Sequence, residues 1–293
     1  MSAEKMTVRQ FFARFPDDDA CLEHVMTVRF GLRHTCTACG VEATFHKLAN
    51  RKAYSCAQCG AHLYPCAGTI FQDSRTPLTL WFYAIYLFVV TRHGVSGKEL
   101  ERQLGVTYKT AYRMGMQIRK LMAATDNVPM LQGHIEMDEA YVGGRRPGGF
   151  TGRGADGKTV VFGVKQRGGS IFTEVVANAR RDTLRAIVSD RVSPWSIVST
   201  DKWAAYKLLK EDGFIHGTVD HGKKEYARYD EELDVVHHVN NVESFWRLFK
   251  KSVQGTHIHI SPKHMQKYLN EFAFRSNHRE MKNAMFDLLI GAL

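Results

Sequence analysis

The sequence lacks an apolar run long enough to cross a membrane. The longest such run, Leu78–Val90, contains 13 residues, whereas a membrane-spanning helix needs about 20. The N-terminus also lacks the apolar stretch of a secretory signal peptide. We therefore expect a cytoplasmic protein with no membrane partner, and we interpret the apolar run as a buried helix.

Acidic residues and cysteines are both scarce. The 293 residues include 30 Asp and Glu against 40 Lys and Arg, which leaves a net charge of +10. An excess of this sign favours a polyanionic partner such as nucleic acid. The chain has only six cysteines, and cysteines stay reduced inside a cell. Paired cysteines therefore indicate metal binding rather than disulfide bonds.

Four of the cysteines have the spacing of a zinc ribbon. Cys36 and Cys39 form one pair, and Cys56 and Cys59 form the second after a gap of 16 residues. Two residues between ligands let a tight turn direct both thiolates at one ion. A glycine follows each pair, where the turn needs a residue free of Cβ strain. We predict one structural Zn²⁺ bound by these four thiolates. Less favoured alternative ligands are three nearby histidines, His34, His46 and His62.

A two-helix pattern follows the apolar run. Leu100 and Leu104 mark one face of a first helix, Gly105–Val106 forms a turn, and Thr107 can cap a second helix. The pattern predicts a helix-turn-helix segment that binds DNA, with an ordinary helical hairpin as the alternative. The second helix would present to a DNA groove the side chains of Tyr108, Lys109, Tyr112 and Arg113.

From residue 134 the hydrophobic pattern alternates as it does in strands. The predicted strands are His134–Val142, Thr159–Lys165, Ser170–Val176, Trp195–Thr200 and His216–Asp220. The predicted helices are Asp182–Asp190, Trp203–Lys210 and one that begins near Asn240. This order of elements is that of an RNase H-like core, an α/β domain with a mixed sheet flanked by helices.

Three acidic residues would meet at one edge of this sheet. Asp138 lies within the first strand, Asp201 directly follows the fourth, and Glu243 lies on the last helix. Clustered carboxylates repel one another, and Mg²⁺ is typically bound by a few carboxylates together with substrate phosphate. We predict that the three residues bind two Mg²⁺ ions, for which Mn²⁺ could substitute, and catalyse phosphoryl transfer.

The motifs around these acids resemble a known family. They are MDEAYVGGRR from Met137, STDKWAAY from Ser199 and HVNNVESFWRLFKK from His238, with a similar closing stretch from Ser261. The chain is similar to DDE-type transposases of bacterial insertion sequences, in the group with an N-terminal zinc ribbon, over about residues 20–285. The resemblance implies that Asp138, Asp201 and Glu243 form the catalytic triad.

The resemblance leaves the third catalytic position open. Members of the group are described with either Asn or Glu there, and this chain offers Asn240 and Glu243 on one helix face. The resemblance also implies that Lys250, seven residues after Glu243, contacts the DNA backbone. We expect additional DNA contacts from the adjacent Lys251 and from a glycine-rich basic loop that contains Arg145 and Arg146.

Together these features predict three segments: an N-terminal helix and zinc ribbon over 1–75, a helix-turn-helix segment over 76–127, and an RNase H-like catalytic domain over 128–293. The predicted function is a nucleoid-associated bacterial transposase that binds the terminal inverted repeats of its element, cleaves there and joins the ends to target DNA. Two ends must be handled together, so we expect at least a homodimer on DNA. The alternatives are a nuclease or resolvase without strand transfer, and a non-catalytic DNA-binding regulator.

Overall fold

The computed structural model describes residues 6–143, 158–281 and 284–293. The chain divides into two compact units, residues 1–125 with 278–293 and residues 126–277. Every helix in the described ranges is too short or too polar to span a bilayer. The helices are α1 (Val8–Arg14), α2 (Asp18–Arg29), α3 (Leu78–Val90), α4 (Gly97–Leu104), α5 (Tyr108–Thr125), α6 (Arg181–Arg191), α7 (Asn240–Ser252), α8 (Met265–Asn277) and α9 (Ala284–Gly291).

The strands belong to three sheets. The first unit contains β1 (Arg33–Thr35), β2 (Glu42–Lys47), β3 (Tyr54–Cys56) and β4 (His62–Leu63). The second unit contains β5 (His134–Val142), β6 (Thr159–Gln166), β7 (Ile171–Val176), β8 (Ile197–Asp201), β9 (Ile215–Val219), β10 (Arg228–Asp230) and β11 (Val235–His237).

In the first unit, a small antiparallel sheet in the order β1-β2-β3-β4 accompanies a helical core. The apolar run of the sequence forms α3 over the predicted residues, and its Trp81 and Phe82 are fully buried. The two predicted DNA-binding helices are α4 and α5. Ser96 caps α4 by accepting a hydrogen bond from the Glu99 N–H, and Gly105 ends it in the left-handed conformation.

The last helix, α9, belongs to this first unit, whereas the sequence pattern predicts a single catalytic domain over 128–293. The Phe286 ring is fully buried and lies 5.8 Å from the Phe82 ring of α3. Asp287 Oδ1 forms an ion pair with a terminal guanidinium nitrogen of Arg14 of α1 at 2.7 Å. The physical reason is the apolar composition of α9, which buries four side chains in the helical core.

The second unit is a mixed-sheet α/β core. Its five strands lie in the order β7-β6-β5-β8-β9. β6 is antiparallel to both neighbours, whereas β8 is parallel to both β5 and β9. One face of the sheet packs against α6 through a cluster of buried apolar side chains that includes Ile135, Met137, Phe162, Leu184 and Val188. This arrangement confirms the mixed sheet predicted from the alternating pattern.

Two parts of this unit differ from the predicted elements. The helix predicted over Trp203–Lys210 is wrong, because only a single 3-10 turn forms, at Ala204–Tyr206. The Trp203 N–H donates to Asp201 Oδ1 at 3.2 Å and Trp203 itself stays extended, so the chain bends sharply at the end of β8. The hairpin of β10 and β11 was not predicted. Its strands have three residues each and leave Tyr229 and Val236 exposed, so they carry little periodic signal.

Helix α8 covers the edge strand β7 and pairs its backbone groups. Gln266 accepts a hydrogen bond from the Val175 N–H at 2.7 Å and donates one to the Thr173 carbonyl at 3.0 Å. Asn277 accepts one from the Ile171 N–H at 2.7 Å. Because these side-chain amides occupy the backbone groups of an otherwise open edge, they protect the sheet against pairing with another strand.

Candidate active site and zinc site

The four paired cysteines of the first unit converge on one point. Each contributes a sulfur, and these atoms all lie within 4.8 Å of one another. The Cys36 and Cys59 sulfurs are 3.8 Å apart, which is the separation of about 3.8 Å that tetrahedral ligands have at a Zn–S distance of about 2.3 Å. Backbone hydrogen bonds from Cys39 and Ala38 lower the pKa of the Cys36 thiol to about 7, and so favour the thiolate that binds metal.

The two turns that hold these cysteines are built alike. The Gly40 N–H donates to the Cys36 carbonyl at 2.8 Å, and the Gly60 N–H donates to the Cys56 carbonyl at 2.9 Å. The φ angles of these glycines are 73° and 72° respectively, values that residues with a Cβ atom rarely adopt. The donor set and its spacing therefore fit a structural Zn²⁺.

Removal of one thiolate should eliminate zinc binding. We expect one Zn²⁺ per wild-type chain and less than a tenth of that for Cys36→Ser, because a structural zinc site needs all four ligands. The ribbon should then unfold locally, since metal binding and folding are linked in such domains. The control is Cys66→Ser, which changes a buried cysteine outside the cluster. Retention of a full equivalent of zinc by Cys36→Ser in metal analysis would contradict the assignment.

Asp138 and Asp201 of the second unit lie side by side on adjacent strands. β5 and β8 run parallel, with Glu136 opposite Ser199. When the same register is continued by two residues, Asp138 lies opposite Asp201, the last residue of β8. Residues two apart on a strand share one face of the sheet, so Glu136 and Asp138 both point to the same side of β5.

Helix α7, which contains Glu243, is held against this face by Glu136. The Glu136 side chain is completely buried. Its carboxylate accepts hydrogen bonds from the Asn241 N–H at 2.8 Å and from the Val242 N–H at 3.3 Å, and one from the Asn241 side-chain amide at 2.7 Å. Glu136 therefore binds the unpaired N–H groups of the first turn of α7, where a negative charge is also favoured by the helix dipole.

Arg167 compensates the charge of Glu136 and ties the segment before α7 to the sheet. Its Nε donates to Glu136 Oε1 at 2.8 Å. Its two terminal nitrogens donate to the carbonyls of Val236 and His238 at 2.7 and 3.1 Å. These donors satisfy the hydrogen-bonding needs of the buried carboxylate, and the network fixes the start of α7 relative to β5.

Gly163 of β6 lets α7 approach the sheet closely. It lies opposite Asp138 in the β5–β6 pair. A Cβ at this position would lie 2.6 Å from a ring carbon of Trp246 and 3.2 Å from a methyl group of Val242, both on α7. The helix therefore rests on the backbone of β6, and any side chain here would displace it from Asp138.

Gly163→Ala should lower the free energy of unfolding by about 1–3 kcal/mol, the usual result of an extra methyl group in a close-packed contact. Gly255→Ala is the matched control. A Cβ there meets nothing within 4 Å, and its φ lies outside the positive range, so we expect a change below about 0.5 kcal/mol. Urea titration of both variants measures the difference. Equal stability of the two variants would contradict the close approach of α7.

An open cavity of about 460 Å³ joins Asp138 to Glu243. The other side chains that line it come from α7 and the turn after it, and most are cationic or polar: Trp246, Arg247, Lys250, Lys251 and Gln254. The carboxylates thus lie at one end of a groove whose wall carries three cations. Such a groove has the charge to bind a phosphodiester backbone next to the acidic residues.

The acidic residues lie close enough to one another to disfavour their charged forms when no cation is bound. Burial raises the pKa of Asp138 to about 8, with further contributions from Glu139, Asp201 and Glu243, whereas Lys250 acts in the opposite direction. A carboxyl with such a pKa is destabilised as an anion until a cation approaches. Hard oxygen donors of this kind suit a divalent cation such as Mg²⁺.

The spacing of the carboxylates differs from that of a compact single-ion site. In the described ranges, the four cysteines are the only group of three or more possible ligand residues that converge closely enough to hold one ion. Asp138, Asp201 and Glu243 do not converge in this way. This fits ions that are held by one or two carboxylates each and completed by water and phosphate oxygens.

The two candidates for the third position differ in their surroundings. Glu243 lines the cavity, and its charge contributes to the raised pKa of Asp138. Its Oε1 lies 3.7 Å from His221 Nδ1. Asn240 is exposed at the first residue of α7, and its N–H donates to His238 Nδ1 at 3.4 Å. Asn240 is not among the side chains that line the cavity.

The predicted DNA-contacting residues of the first unit are accessible. Ala111 and Met114 of α5 are buried, whereas Lys109 and Arg113 are exposed and Tyr112 is partly exposed. The Arg113 guanidinium also lies 5.5 Å from the Trp81 ring. The remaining two predicted contacts, Arg145 and Arg146, lie outside the described residues.

Sequence reasoning missed the buried acids on either side of Asp138. Glu136 holds α7, as described above. Glu139 points to the opposite face, where its Oε2 accepts a hydrogen bond from the Tyr206 hydroxyl at 2.7 Å. The available signal was two further carboxylates inside a strand that is otherwise apolar, a placement that is costly unless each one is paired.

Comparison with known proteins agrees with this layout. Residues 130–277 match the family model described as the ISXO2-like transposase domain, and residues 16–62 match the transposase zinc-ribbon domain. The chain therefore belongs to the ISXO2-like transposases of insertion sequences, with an N-terminal zinc ribbon.

The individual relatives share about a third of their residues or fewer with this chain. A protein in the transposable element ISH50 of Halobacterium salinarum is 30% identical over 82% of this chain and 84% of its own length. A transposase-like protein of Haemophilus influenzae is 29% identical over 39% of this chain and 85% of its own length. The Mos1 strand transfer complex shares 15% identity with a TM-score of 0.28, and it covers 67% of this chain and 72% of the Mos1 chain. That TM-score is too low to support a structural argument.

Proposed function

We propose that this transposase cleaves DNA at the ends of its element and joins the freed 3′-hydroxyls to target DNA, using two Mg²⁺ ions at Asp138, Asp201 and Glu243. The observation that supports this most directly is the arrangement of these acids on the second unit, which has the strand order expected of an RNase H-like core. Two are side by side on adjacent strands, and the third shares a cationic groove with the first.

Each part of the site has a distinct task in this proposal. When bound, the divalent ions would activate the attacking oxygen and stabilise the leaving oxygen of an in-line displacement. Asp138 and Asp201 present carboxylates from the adjacent inner strands β5 and β8, and Glu136 holds α7 so that Glu243 stays near them. Lys250, Lys251 and Arg247 line the same groove and would hold the DNA backbone by its phosphates.

The first unit would recognise the terminal inverted repeats. We propose that α4 and α5 form a helix-turn-helix whose second helix lies in the major groove, with the zinc ribbon as an additional DNA contact. Two element ends react together in transposition, so the active species would be at least a homodimer on DNA. The site itself would work in each protomer, because the three proposed metal-binding acids come from one chain.

Loss of two cations on α5 should weaken repeat binding without loss of the fold. For Lys109→Ala with Arg113→Ala, we expect a roughly 10- to 100-fold lower affinity and a salt dependence reduced by about two ions. The control is Arg9→Ala with Arg92→Ala, which removes the same charge from two other exposed positions of the first unit. Fluorescence anisotropy with labelled repeat DNA measures both effects. Equal losses in the two double variants would show that only net charge matters.

The proposed chemistry is tested by nicking of repeat-end DNA. The wild-type protein should cut one strand at each end when Mg²⁺ or Mn²⁺ is supplied and should be inactive in EDTA. Repeat binding without any metal-dependent cutting would favour a non-catalytic regulator. Cutting without subsequent joining would favour a nuclease or resolvase. The repeat sequence itself can be found by sequencing the DNA that flanks the gene.

A further inference from the structure

A short basic segment lies directly beside Glu243 and has no role in the proposal above. It comprises residues 220–228, from the end of β9 to the first residue of β10. β9 runs parallel to β8 with Val219 opposite Asp201, so the segment starts at the sheet edge where the proposed metal ligands lie. The His221 ring approaches Glu243 to 3.7 Å. The segment therefore contacts Glu243, which lines the same cavity as the cationic side chains of α7.

The first half of the segment is a tightly held turn. Asp220 Oδ1 accepts a hydrogen bond from the Gly222 N–H at 3.1 Å, and Asp220 Oδ2 accepts one from Lys202 Nζ at 3.1 Å. The Glu225 carboxylate accepts the Asp220 N–H at 3.0 Å, and the Glu225 N–H donates back to the Asp220 carbonyl at 3.1 Å. Both acidic groups of the turn are thus engaged within it, which fixes its shape.

The basic side chains of the segment point into solvent. Lys223, Lys224 and Arg228 are all exposed. The neighbouring acid Asp220 is hydrogen-bonded to Gly222 and Lys202, and Glu225 accepts the Asp220 N–H. The segment therefore presents an excess of positive charge next to a site for phosphodiester chemistry. Charge of this sign and place is complementary to a DNA backbone.

An aromatic ring accompanies this charge. Tyr226 is 59% exposed, and its ring centroid lies 5.5 Å from that of the His221 ring, with the two rings tilted by 40°. Duplex phosphates would be bound by the lysines alone. A free aromatic face is useful only to a base that has left its stack, because stacked bases present no open face.

We propose that Tyr226, with Lys223 and Lys224, forms a binding site for unpaired nucleotides of the DNA strand next to the scissile phosphate. Tyr226 stacks on a base, and the two lysines hold the adjoining phosphates. This part of the inference rests on the proposed function: the unpaired nucleotides lie at the cut only if Glu243 belongs to the site that cuts DNA. The binding of unpaired DNA does not depend on catalysis and can be measured without it.

The stacking contribution sets the size of the expected effect. One base on one aromatic ring changes a binding constant by roughly 5- to 150-fold. Tyr226→Ala should lose a factor in this range for unpaired DNA, while Tyr226→Phe should retain it because the ring and not the hydroxyl is used. Lys223→Ala should weaken binding to paired and unpaired DNA alike and reduce the salt dependence by about one ion.

The experiment compares two defined probes with the full chain in EDTA, where no cutting can occur. One probe is a fully paired duplex, and the other is the same duplex with a short unpaired thymidine tract in one strand. We expect wild type and Tyr226→Phe to prefer the unpaired probe and Tyr226→Ala to bind both equally. The matched control is Trp195→Ala, which removes a 78% exposed aromatic ring before the start of β8, at the opposite end of that strand from Asp201. It should keep the preference.

Two results would overturn the inference. Wild type could show no preference for the unpaired probe, or Tyr226→Ala could keep it. An unchanged DNA affinity of Tyr226→Ala combined with a changed sedimentation coefficient would assign the surface to a protein partner instead. The parallel nicking assay separates these outcomes from a failure of the proposed function. A chain that prefers unpaired DNA through Tyr226 but never cuts would refute the chemistry and leave the binding site standing.

Discussion

Asp201→Asn is expected to abolish Mg²⁺-dependent cleavage while repeat binding stays within about two-fold of wild type. The substitution keeps the shape of the side chain and an oxygen that can still accept the Trp203 N–H. It removes the negative charge that a divalent ion requires. Because a bound metal contributes several kcal/mol of transition-state stabilisation, the loss should reach at least roughly a thousand-fold in rate.

The measurement is a nicking assay on DNA that is already bound, so that affinity cannot affect the result. Asp190→Asn is the matched control, since it neutralises an exposed acid on α6 of the same unit, and it should cut like wild type. If the Asp201→Asn variant nicked DNA at the wild-type rate, the assignment of the metal-binding residues would be wrong, whatever the family of the chain.

Glu243→Gln is expected to reduce cleavage by orders of magnitude, with a much milder effect for Asn240→Ala. A third carboxylate offsets more of the charge of two divalent ions than a neutral amide does, and an ionised oxygen is the stronger ligand for a hard cation. The structure adds a positional argument, because Glu243 lines the cavity with Asp138 and Asn240 does not. Asn240 would then orient a metal-bound water or a neighbouring carboxylate.

The two variants should be compared at several Mg²⁺ concentrations on pre-bound repeat DNA. Loss of a metal ligand should raise the Mg²⁺ concentration needed for half-maximal cutting as well as lower the maximal rate. If Asn240→Ala were the more severe variant and showed the shifted Mg²⁺ dependence, the third position would belong to Asn240.

Local sequence patterns predicted the strands of the second unit well. The predicted first strand has the observed bounds, His134–Val142, and the predicted start of α7 near Asn240 also agrees. Half-buried strands alternate apolar and polar residues, and buried strands are short apolar runs rich in β-branched residues, so both kinds are readable from a short stretch of sequence. The ligand spacing of the cysteines was equally informative, because the two turns that hold them are local structures.

Features that depend on distant parts of the chain could not be predicted in this way. Glu136 supports α7 through contacts with residues 105 and 106 positions further along the chain, and nothing local to Glu136 reports them. Gly163 reads as an ordinary strand glycine until Trp246 is placed upon it. The return of α9 to the first unit is likewise a property of the completed helical core.

The segment after β8 shows why a local pattern can also mislead. Residues Trp203–Lys210 have the composition of a helix, but the chain turns at Asp201 and carries Tyr206 into the core to reach Glu139. Tertiary contacts of buried polar groups outweigh the small propensity differences of a short segment. The departure from local expectation therefore occurs next to a proposed catalytic residue.

Strand transfer from precut ends distinguishes a transposase from a nuclease. Repeat DNA with a free 3′-hydroxyl is incubated with supercoiled plasmid, wild-type protein and Mg²⁺, and with Asp138→Asn as the inactive control. We expect a covalent joint between the repeat end and the plasmid for wild type only. Absence of this joint in a preparation that binds the repeats and nicks them would contradict the proposed strand transfer and identify the chain as a nuclease alone.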